Sequence, residues 1–400
     1  MAITINTSPS GSPSVHDGLW HVCSSDNSGV TDMKFVFDVW VNGEQKIRVK
    51  QFPEPLTGKS YFDAGPIVRN EFTYEWFEPI NSTAYVAEPD MSGQIGIVYQ
   101  LRVGEEVSGI TTLNMASGQV SGYNWAPNLF KRRVDNISTR LNKWVTNRAF
   151  NETNNLGDKI CSVKSALGEN LFVGFYTDES PTIQLEKFDA SNQTIGSVIS
   201  GVNLDLDNGF LQLNIGTTAL SATLSTTFNE SVKYYDVWFT LPSNPTPYKI
   251  RVYLTCNPKY ICIPVHFLNR WGMWETQRFD LVSKLSMDIE RKSYTKRDYK
   301  FKGNSVDYLS SNNVYYGGRV NYSNKATWAY KLNANALTDS EWVWIADLMQ
   351  SPQILLEYEE YFYPVTIKKT NYDYNQYVVD RLKPLEIEFE LNTSRYTQLR

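Results

Sequence analysis

The sequence predicts a mainly β protein, in which two small antiparallel β-sandwiches are followed by a C-terminal α+β domain. Three observations predict this class. Short runs of alternating polar and apolar residues recur at about 8–12-residue intervals, a spacing typical of antiparallel sheets. Aromatic residues make up 14% of the chain, and half-buried strands favour such residues. A single segment near residues 338–350 carries the start and stop signals of a helix.

The first eighteen residues, 1–18, are expected to form a flexible arm because they are rich in Ser, Pro, Gly and Thr. This segment lacks the basic region and apolar run of a signal peptide. No apolar run approaches the ~20 residues that span a bilayer. The cysteines form neither a CxxC pair nor a disulfide framework; they are Cys23, Cys161, Cys256 and Cys262. We therefore expect a protein that is made and assembled in a cytoplasm, without a membrane partner.

The first sandwich is predicted over residues 19–130. Its strongest signal is a β-hairpin over Lys34–Gln51, where residues alternate with period two on both sides of Asn42-Gly43. Asn-Gly tolerates the positive φ angles of a two-residue hairpin turn. In the residues that follow, Pro and Gly separate further short strands, and Ile95–Val103 predicts another strand. This spacing is typical of a small sandwich of the immunoglobulin or fibronectin type.

The second sandwich is predicted over residues 131–275. Its first part, Lys131–Phe150, fits helical spacing and equally a strand with a linker, and we interpret it as a domain boundary. Short strands separated by turns then return. Their sequences are NLFVGFY, TIQLEKFD, GFLQLNIG, YYDVWFTL and YKIRVYLTC.

One sequence pattern occurs in both predicted sandwiches. FVFDVWVNGEQKIRV begins at Phe35 and YYDVWFTLPSNPTPYKIRVYL begins at Tyr234. Each has Asp-Val-Trp, a turn-rich gap, and Lys-Ile-Arg-Val. Because loop length varies at little cost in free energy, one structural unit used twice explains the pattern; the alternative is that exposed hairpins share such residues by chance. The duplication predicts that the strands superpose while Pro242–Pro247 protrudes.

The last domain is predicted over residues 276–400, with one helix packed on an antiparallel sheet. Thr338 is a good N-cap with Glu341 three residues later, which is a capping box, and Leu337 and Trp342 fit a hydrophobic staple. The helix is expected to end near Gln350, before Ser-Pro. The predicted strands are SKLSMDIERKSYTKRDYKFKG, YGGRVNYSNKATWAYKLNA, QILLEYE, YFYPVTIKK and PLEIEFELN.

Few residues suit catalysis or metal binding. The histidines are His16, His21 and His266. No HExxH, Cys/His cluster, GxSxG, P-loop or GxGxxG motif occurs, so we expect no catalytic residue, metal or cofactor. Cys262 and His266 could form a nucleophile–base pair, but positions four apart on one strand lie about 13 Å apart.

Acidic residues offer two further alternatives. Glu357, Glu359 and Glu360 lie among aromatic residues, as in a glycosidase cleft; a simple hairpin is the interpretation that we favour. Asn203–Gly209 loosely resembles a calcium loop but lacks the distal glutamate of an EF-hand. We expect it to be an ordinary turn.

Basic residues cluster at 131–133 and at 291–302, where tyrosines interleave in the second cluster. Such a surface has the composition to contact phosphates and to stack bases. Acidic neighbours dilute the second cluster, however, and the chain has a net charge of −5, which provides no overall attraction to nucleic acid. We interpret the cluster as a solvated strand face or a subunit contact.

Four ordered segments carry a resemblance to a known class of proteins. They are FVFDVWVNG…IRVKQFPEP…YFDAGPIVRNEF, WVTNR, IPVHFLNRWGMWETQRFD and LTDSEWVWIADLMQSPQILLEYEEYFYPVTIKK. The series resembles structural proteins in the tail and neck of tailed double-stranded DNA phages of Bacteroidetes, crAss-like phages included. Its C-terminal part is similar to distal-tail, ring or hub proteins.

The resemblance implies a non-enzymatic virion protein that assembles into a homo-oligomeric ring, of six or twelve copies, and docks other virion proteins. DNA would be at most passing cargo. Candidate subunit contacts are Pro242, Pro245, Pro247, Trp271, Trp274, Arg291, Tyr294 and Tyr299. A carbohydrate-binding adhesin for host glycans is the alternative, since Trp- and Tyr-rich sandwiches often stack sugars. A glycoside hydrolase using the acidic residues ranks third.

Overall fold

The structure, a computed structural model, describes residues 3–10, 13–72, 86–87, 96–123, 142–154, 157–177, 179–203, 210–243, 247–255, 260–359, 361–368, 383–391 and 395–396. It confirms a mainly β class, since 55% of the residues lie in strands and 8% in helices, and the sheets are antiparallel with one exception described below. The described residues divide into two compact units. The first comprises residues 1–256, 267–276 and 343–351, and the second comprises 257–266, 277–342 and 352–400.

The elements up to residue 256 are mostly short strands. They are β1 (Ile3–Thr7), β2 (Trp20–Ser25), β3 (Lys34–Val41), β4 (Glu44–Gln51), β5 (Ser60–Asp63), α1 (Gly65–Arg69), β6 (Val86–Ala87), β7 (Gly96–Val107), β8 (Ile110–Ala116), β9 (Val120–Tyr123), β10 (Lys143–Trp144), β11 (Glu152–Thr153), β12 (Lys159–Ser165), β13 (Phe172–Tyr176), β14 (Thr182–Phe188), β15 (Ile199–Asn203), β16 (Phe210–Asn214), α2 (Thr217–Leu224), β17 (Tyr234–Thr240) and β18 (Tyr248–Leu254).

The elements after residue 256 include two much longer strands. They are β19 (Ile263–Leu268), β20 (Trp274–Phe279), β21 (Lys284–Lys296), β22 (Lys300–Lys302), β23 (Ser305–Asp307), β24 (Gly318–Leu337), α3 (Asp339–Gln350), β25 (Ile354–Tyr358), β26 (Tyr361–Ile367), β27 (Lys383–Leu391) and β28 (Arg395–Tyr396).

Two sheets in the first unit share one hydrophobic core. One sheet has the order β1-β2-β5, and the other has the order β4-β3-β7-β8, with β9 also paired to β7. Their inward side chains form a single cluster that includes Ile3, Phe37, Phe62 and Leu101. Burial of aromatic and branched side chains from both sheets provides the main stabilisation here.

Two further sheets share a second core. Their orders are β10-β13-β16-β6 and β11-β12-β18-β17-β14-β15. Trp144, Leu213, Tyr235 and Ile250 are among the buried members of the shared cluster. β12 and β18 pair in parallel, which is the exception to the antiparallel pattern. The predicted strands of this region are confirmed as β13, β14, β16, β17 and β18.

The two hairpins with the shared sequence pattern have the same internal geometry. In the first, Asp38 lies opposite Arg48, and its carboxylate accepts two hydrogen bonds of 2.7 Å from the guanidinium. In the second, Asp236 lies opposite Arg251 with two hydrogen bonds of 2.8 Å. The conserved spacing within each strand therefore places a bidentate ion pair at an equivalent position.

The surroundings of the two hairpins match on one side and differ on the other. β3 and β17 each have a second antiparallel neighbour, β7 and β14. β4 is an edge strand, however, whereas β18 has β12 on its far side. The common unit is thus three strands, and duplication of the chain stays a prediction.

The Asn42-Gly43 turn is confirmed, with φ of 49° and 83°. The corresponding loop of the second hairpin is described at residues 242–243 and 247. Ser243 donates its backbone N–H to Glu179 at 3.0 Å, so the start of this loop is fixed to the unit. The predicted protrusion of the whole loop lies partly outside the described residues.

Part of the segment predicted to be a flexible arm belongs to the fold. β1 pairs with β2, and Ile3 and Val15 are 3% and 2% exposed. Alternating Ile and Thr at residues 3–7 favour a strand, which the Ser- and Pro-rich composition had concealed. The boundary predicted near residue 130, together with the basic residues 131–133, lies outside the described residues.

The large sheet of the last third of the chain has the order β20-β19-β25-β26-β27-β24-β21, with β28 also paired to β24. The predicted strands are confirmed as β21, β24, β25, β26 and β27. The capping box of α3 is confirmed as well, because Thr338 donates its backbone N–H to Glu341 at 2.7 Å and Glu341 donates its own to Thr338 Oγ1 at 3.4 Å.

The paired Asp–Arg hydrogen bonds predict a difference in stability between the two hairpins. Arg251→Ala leaves Asp236, which is 2% exposed, without its partner in an interior strand pair. We expect this variant to lose about 2–3 kcal/mol of unfolding free energy. Arg48→Ala should lose less, although Asp38 is 1% exposed. The Arg48 side chain is 41% exposed and that of Arg251 is 19% exposed, so water can replace more of the lost contact at the edge strand.

Urea denaturation of both variants measures this difference. The double variants Asp236→Ala/Arg251→Ala and Asp38→Ala/Arg48→Ala serve as controls, because they remove the carboxylate together with its partner. Equal losses of unfolding free energy in Arg48→Ala and Arg251→Ala would contradict this interpretation of the different exposure of the two arginines.

Candidate association hairpin and tip pocket

β21 and β24 form a long antiparallel hairpin, called the edge hairpin below (residues 284–337). They pair from Lys284–Lys331 to Lys296–Gly318. Every residue of β21 except Ser293 is exposed. Within the part of the chain that the structure describes, β21 pairs with β24 alone. Its outer edge therefore presents the backbone N–H and C=O groups of alternate residues along the thirteen-residue strand.

One face of the edge hairpin is polar and is held by ion pairs. Lys368 lies 2.7 Å from Asp288 and 3.0 Å from Glu388. These hydrogen bonds raise the pKa of the Lys368 ammonium above its ordinary value. Lys331 and Glu386 form another pair at 2.7 Å. The charged groups on this face therefore pair with one another or are exposed to solvent.

The other face of the edge hairpin is apolar and continues the core face of the sheet. One row across three strands runs from Phe389 through Tyr330 to Leu285. Phe389 is fully buried and Leu285 is 52% exposed. Met287 and Ile289, on the same face as Leu285, are 44% and 38% exposed. The apolar face thus extends past the part of the sheet that is covered, which is unusual for a surface that remains in water.

A pocket lies at the end of the edge hairpin and is called the tip pocket below. Its volume is about 470 Å³. It is lined by Tyr294, Thr295, Lys296, Arg297, Tyr299, Lys300, Phe301 and Tyr316. Lys300 lies 5.0 Å from the centre of the Tyr316 ring, and the rings of Tyr299 and Phe301 meet edge to face at 5.3 Å. The pocket therefore combines cations with aromatic walls.

The predicted contact residues of this region are partly brought together. Tyr294 and Tyr299 both line the tip pocket, whereas Arg291 is an exposed residue of β21 and is not among the lining residues. The sequence cluster at 291–302 identified the region. Tyr316 joins it from across the hairpin, and only the pairing of β21 with β24 reveals that contribution.

Other predicted contacts lie elsewhere. Trp271 and Trp274 are fully buried within the chain, so neither presents a surface to a partner. Trp274 is the first residue of the buried strand β20, and Trp271 lies in the turn between β20 and the buried strand β19. Pro242 is exposed and Pro247 is half-buried, and Pro245 lies outside the described residues.

The residues considered for catalysis are engaged in separate contacts. Cys262 accepts a hydrogen bond from Arg278 Nε at 2.7 Å. His266, which is fully buried, lies 2.9 Å from Glu357 through Nε2. Glu359 occupies the turn between β25 and β26 with a φ of 50°. Glu360 and Cys256, and the acidic turn at residues 204–209, lie outside the described residues.

A serine–histidine contact in the first unit does not favour nucleophilic catalysis either. Ser8 Oγ lies 3.3 Å from His21 Nδ1, and Tyr99 OH lies 3.2 Å from His21 Nε2. Burial lowers the pKa of His21 to about 4, although the nearby Asp63 charge acts in the opposite direction. A base with so low a pKa is poorly matched to neutral pH.

The structure also reveals a buried polar cluster in the first unit that the sequence did not predict. Glu275 is 1% exposed and accepts hydrogen bonds from Asn269 at 2.6 Å, from Thr146 at 3.0 Å and from the Trp344 indole. The Arg148 guanidinium lies 3.4 Å from the centre of the Trp344 ring. These residues come from three separate stretches of the chain, so no local sequence motif predicts the cluster.

A second carboxylate, Asp347, belongs to the same polar cluster. It accepts a hydrogen bond from Asn147 at 2.6 Å, and Asn147 accepts one from Arg270 at 2.5 Å. Burial, followed by the Glu275 charge, raises the pKa of Asp347 to about 7, although Arg270 acts against this. Burial also raises the pKa of Glu275 above its ordinary range. The two carboxylates are thus held in the interior by hydrogen bonds from side chains of the chain itself.

No group of three or more His, Cys, Asp or Glu side chains suited to hold a metal ion occurs among the described residues. No helix in the described part of the chain is long and apolar enough to cross a membrane.

Comparison with known proteins does not assign the chain. No protein-family model matches it, and no curated protein sequence matches it. The function must therefore be inferred from the surfaces described above.

The raised pKa of Asp347 predicts a pH dependence of stability. An aspartate ionises near pH 4 in the unfolded chain, whereas the folded chain keeps this proton up to about pH 7. Stability should therefore fall as the pH rises from 4 to 7. Asp347→Asn removes this effect, so its stability relative to wild type should grow by on the order of 3 kcal/mol between pH 4 and 8.

Urea denaturation of Asp347→Asn and wild type across this pH range measures the effect. Asp26→Asn, which changes an exposed aspartate of the same unit, is the matched control and should run parallel to wild type. Parallel curves for Asp347→Asn would show that the carboxyl is ionised in the folded chain.

Proposed function

We propose that the protein is a structural protein that assembles with copies of itself through the edge hairpin. The observation that carries this proposal is the apolar row from Phe389 to Leu285, which is buried at one end and exposed at the other. Exposed apolar surface on an edge strand favours association, because it offers both apolar area and unpaired backbone groups. A neighbouring copy that covers this face would complete the core of the sheet.

The proposed setting is a virion, in the tail or neck of a tailed phage, and it is supported by the resemblance of the four sequence segments. The shared cores of paired sheets support an interpretation as two β-sandwiches of the immunoglobulin or fibronectin type. In this account the sandwiches dock other virion proteins, and the last domain forms the ring. Assembly takes place in the host cytoplasm.

A non-enzymatic role agrees with the contacts of the groups that were considered for catalysis. His266 and Glu357 bind one another, and Cys262 accepts a hydrogen bond from Arg278. Each has a structural contact that accounts for its position.

Substitution of Met287 tests the assembly proposal. Met287→Lys places a charge between Leu285 and Ile289 on the exposed apolar face of β21, and desolvating that charge at an interface is costly. We expect wild-type protein to sediment as an oligomer at micromolar concentration and Met287→Lys to sediment as a monomer with the circular dichroism spectrum of wild type. Sedimentation velocity with negative-stain microscopy measures both size and ring closure.

Leu113→Lys is the matched control, because Leu113 is 40% exposed and also lies on an edge strand, β8. This variant should keep the oligomer. A monomeric wild-type protein, or an oligomer that survives Met287→Lys, would count decisively against assembly through the edge hairpin.

A further inference from the structure

We propose that the tip pocket binds single-stranded nucleic acid, with its cations on phosphates and its aromatic rings against bases. This site lies within one chain and does not depend on the assembly proposed above. The chemistry that it recognises is a phosphate joined to an aromatic base.

The first argument is the charge of the tip pocket. Three of its lining residues are cations, Lys296, Arg297 and Lys300, and none is acidic. Among the residues that the structure describes, no carboxylate lies within ion-pair distance of Lys296 or Arg297, whereas Lys302 nearby lies 3.8 Å from Asp307. Two cations without an acidic partner among the described residues therefore line the same pocket, and a phosphate strand supplies the matching charge.

The basic segment that contains the pocket residues adds to the positive charge around the tip pocket. Residues 291–302 contain six cations against one acid, namely Arg291, Lys292, Lys296, Arg297, Lys300 and Lys302 against Asp298. The whole chain has a net charge of −5. The positive charge is thus concentrated at the end of the edge hairpin, and it attracts anions only over distances comparable with the Debye length of about 10 Å.

The second argument is the aromatic wall of the tip pocket. Four rings line it: Tyr294, Tyr299, Phe301 and Tyr316. Phe301 is 72% exposed and Tyr294 is 51% exposed, so their faces are open to a ligand. Aromatic side chains beside cations are the usual platform for unpaired bases, which stack on them with little sequence preference. The pocket volume, about 470 Å³, lies within the range of small-ligand sites.

The composition of the tip pocket argues against two other anionic or ring-stacking ligands. For a glycan, the lining offers only the hydroxyl groups of Thr295 and the tyrosines as side-chain acceptors, without the strong acceptors Asn, Gln, Asp or Glu, and a neutral glycan leaves the three cations unpaired. An acidic peptide segment would pair with the cations and leave the open Phe301 and Tyr294 rings without a partner. A nucleotide strand uses both features together.

Fluorescence anisotropy with a labelled oligothymidylate tests the proposal on the full-length protein. Wild type should bind it saturably, with an affinity that falls as salt rises from about 50 to 200 mM. Lys296→Glu should weaken binding at least tenfold and reduce the salt slope, because a phosphate contact is lost. Phe301→Ala should weaken binding about tenfold with the salt slope unchanged, because stacking is lost.

Two matched controls keep the test specific. Lys164→Glu changes an exposed lysine outside the pocket, and Phe52→Ala changes an exposed phenylalanine outside it; both should bind like wild type. Lys296→Arg and Phe301→Trp should retain binding, because they keep the positive charge and the aromatic ring that the proposal requires at these two positions.

Competition experiments identify the ligand. Thymidine monophosphate, double-stranded DNA and polyglutamate should each compete at least tenfold more weakly than the oligothymidylate. Equal competition by any of them would overturn the assignment to a single strand, in favour of a free nucleotide, a duplex backbone or an acidic peptide. Absence of saturable binding, or loss that is equal in the control variants, would overturn the site itself.

Discussion

An edge strand that stays open is the constraint on which the rest of this account depends. β24 pairs on one side with β27 and on the other with β21, so β21 is the last strand of this sheet among the described residues. Nothing described covers the apolar face of that strand or its outer backbone edge. Natural proteins commonly blunt such edges with charge, proline or bulges. Here β21 carries charged residues on its polar face and a bulge near Lys292. Leu285, Met287 and Ile289 on the other face nevertheless remain exposed, which favours a partner.

The two faces of the edge hairpin have different physical roles. Lys368 ties the polar face to the sheet through Asp288 and Glu388, and this fixes the direction of β21 without help from a partner. The opposite face offers Leu285, Met287 and Ile289 to a neighbour. The tip pocket lies at the end of the hairpin, and its lining includes the cations Lys296, Arg297 and Lys300. Association and ligand binding can therefore occupy separate parts of one hairpin.

Much of the fold could be predicted from the sequence because its signals are local. Period-two alternation identified the strands, and Thr338 with Glu341 identified α3. The tip pocket could be predicted in part, since Tyr294 and Tyr299 lie within one basic segment, whereas Tyr316 enters only through strand pairing. The Glu275 cluster could not be predicted, because its members are distant in sequence and each is unremarkable alone. Trp271 and Trp274 were predicted as subunit contacts but are buried in the core. Aromatic content alone does not distinguish a core residue from a contact residue.

Hydrogen–deuterium exchange of the β21 amides at low and high protein concentration tests the central claim most directly. If copies associate through the edge hairpin, the amides of Lys284–Ile289 that point away from β24 should exchange rapidly in dilute protein and become protected as concentration rises, while those of edge strand β8 stay unchanged. Exchange in β21 that is equally fast at every concentration, in a protein shown to be oligomeric, would contradict the account.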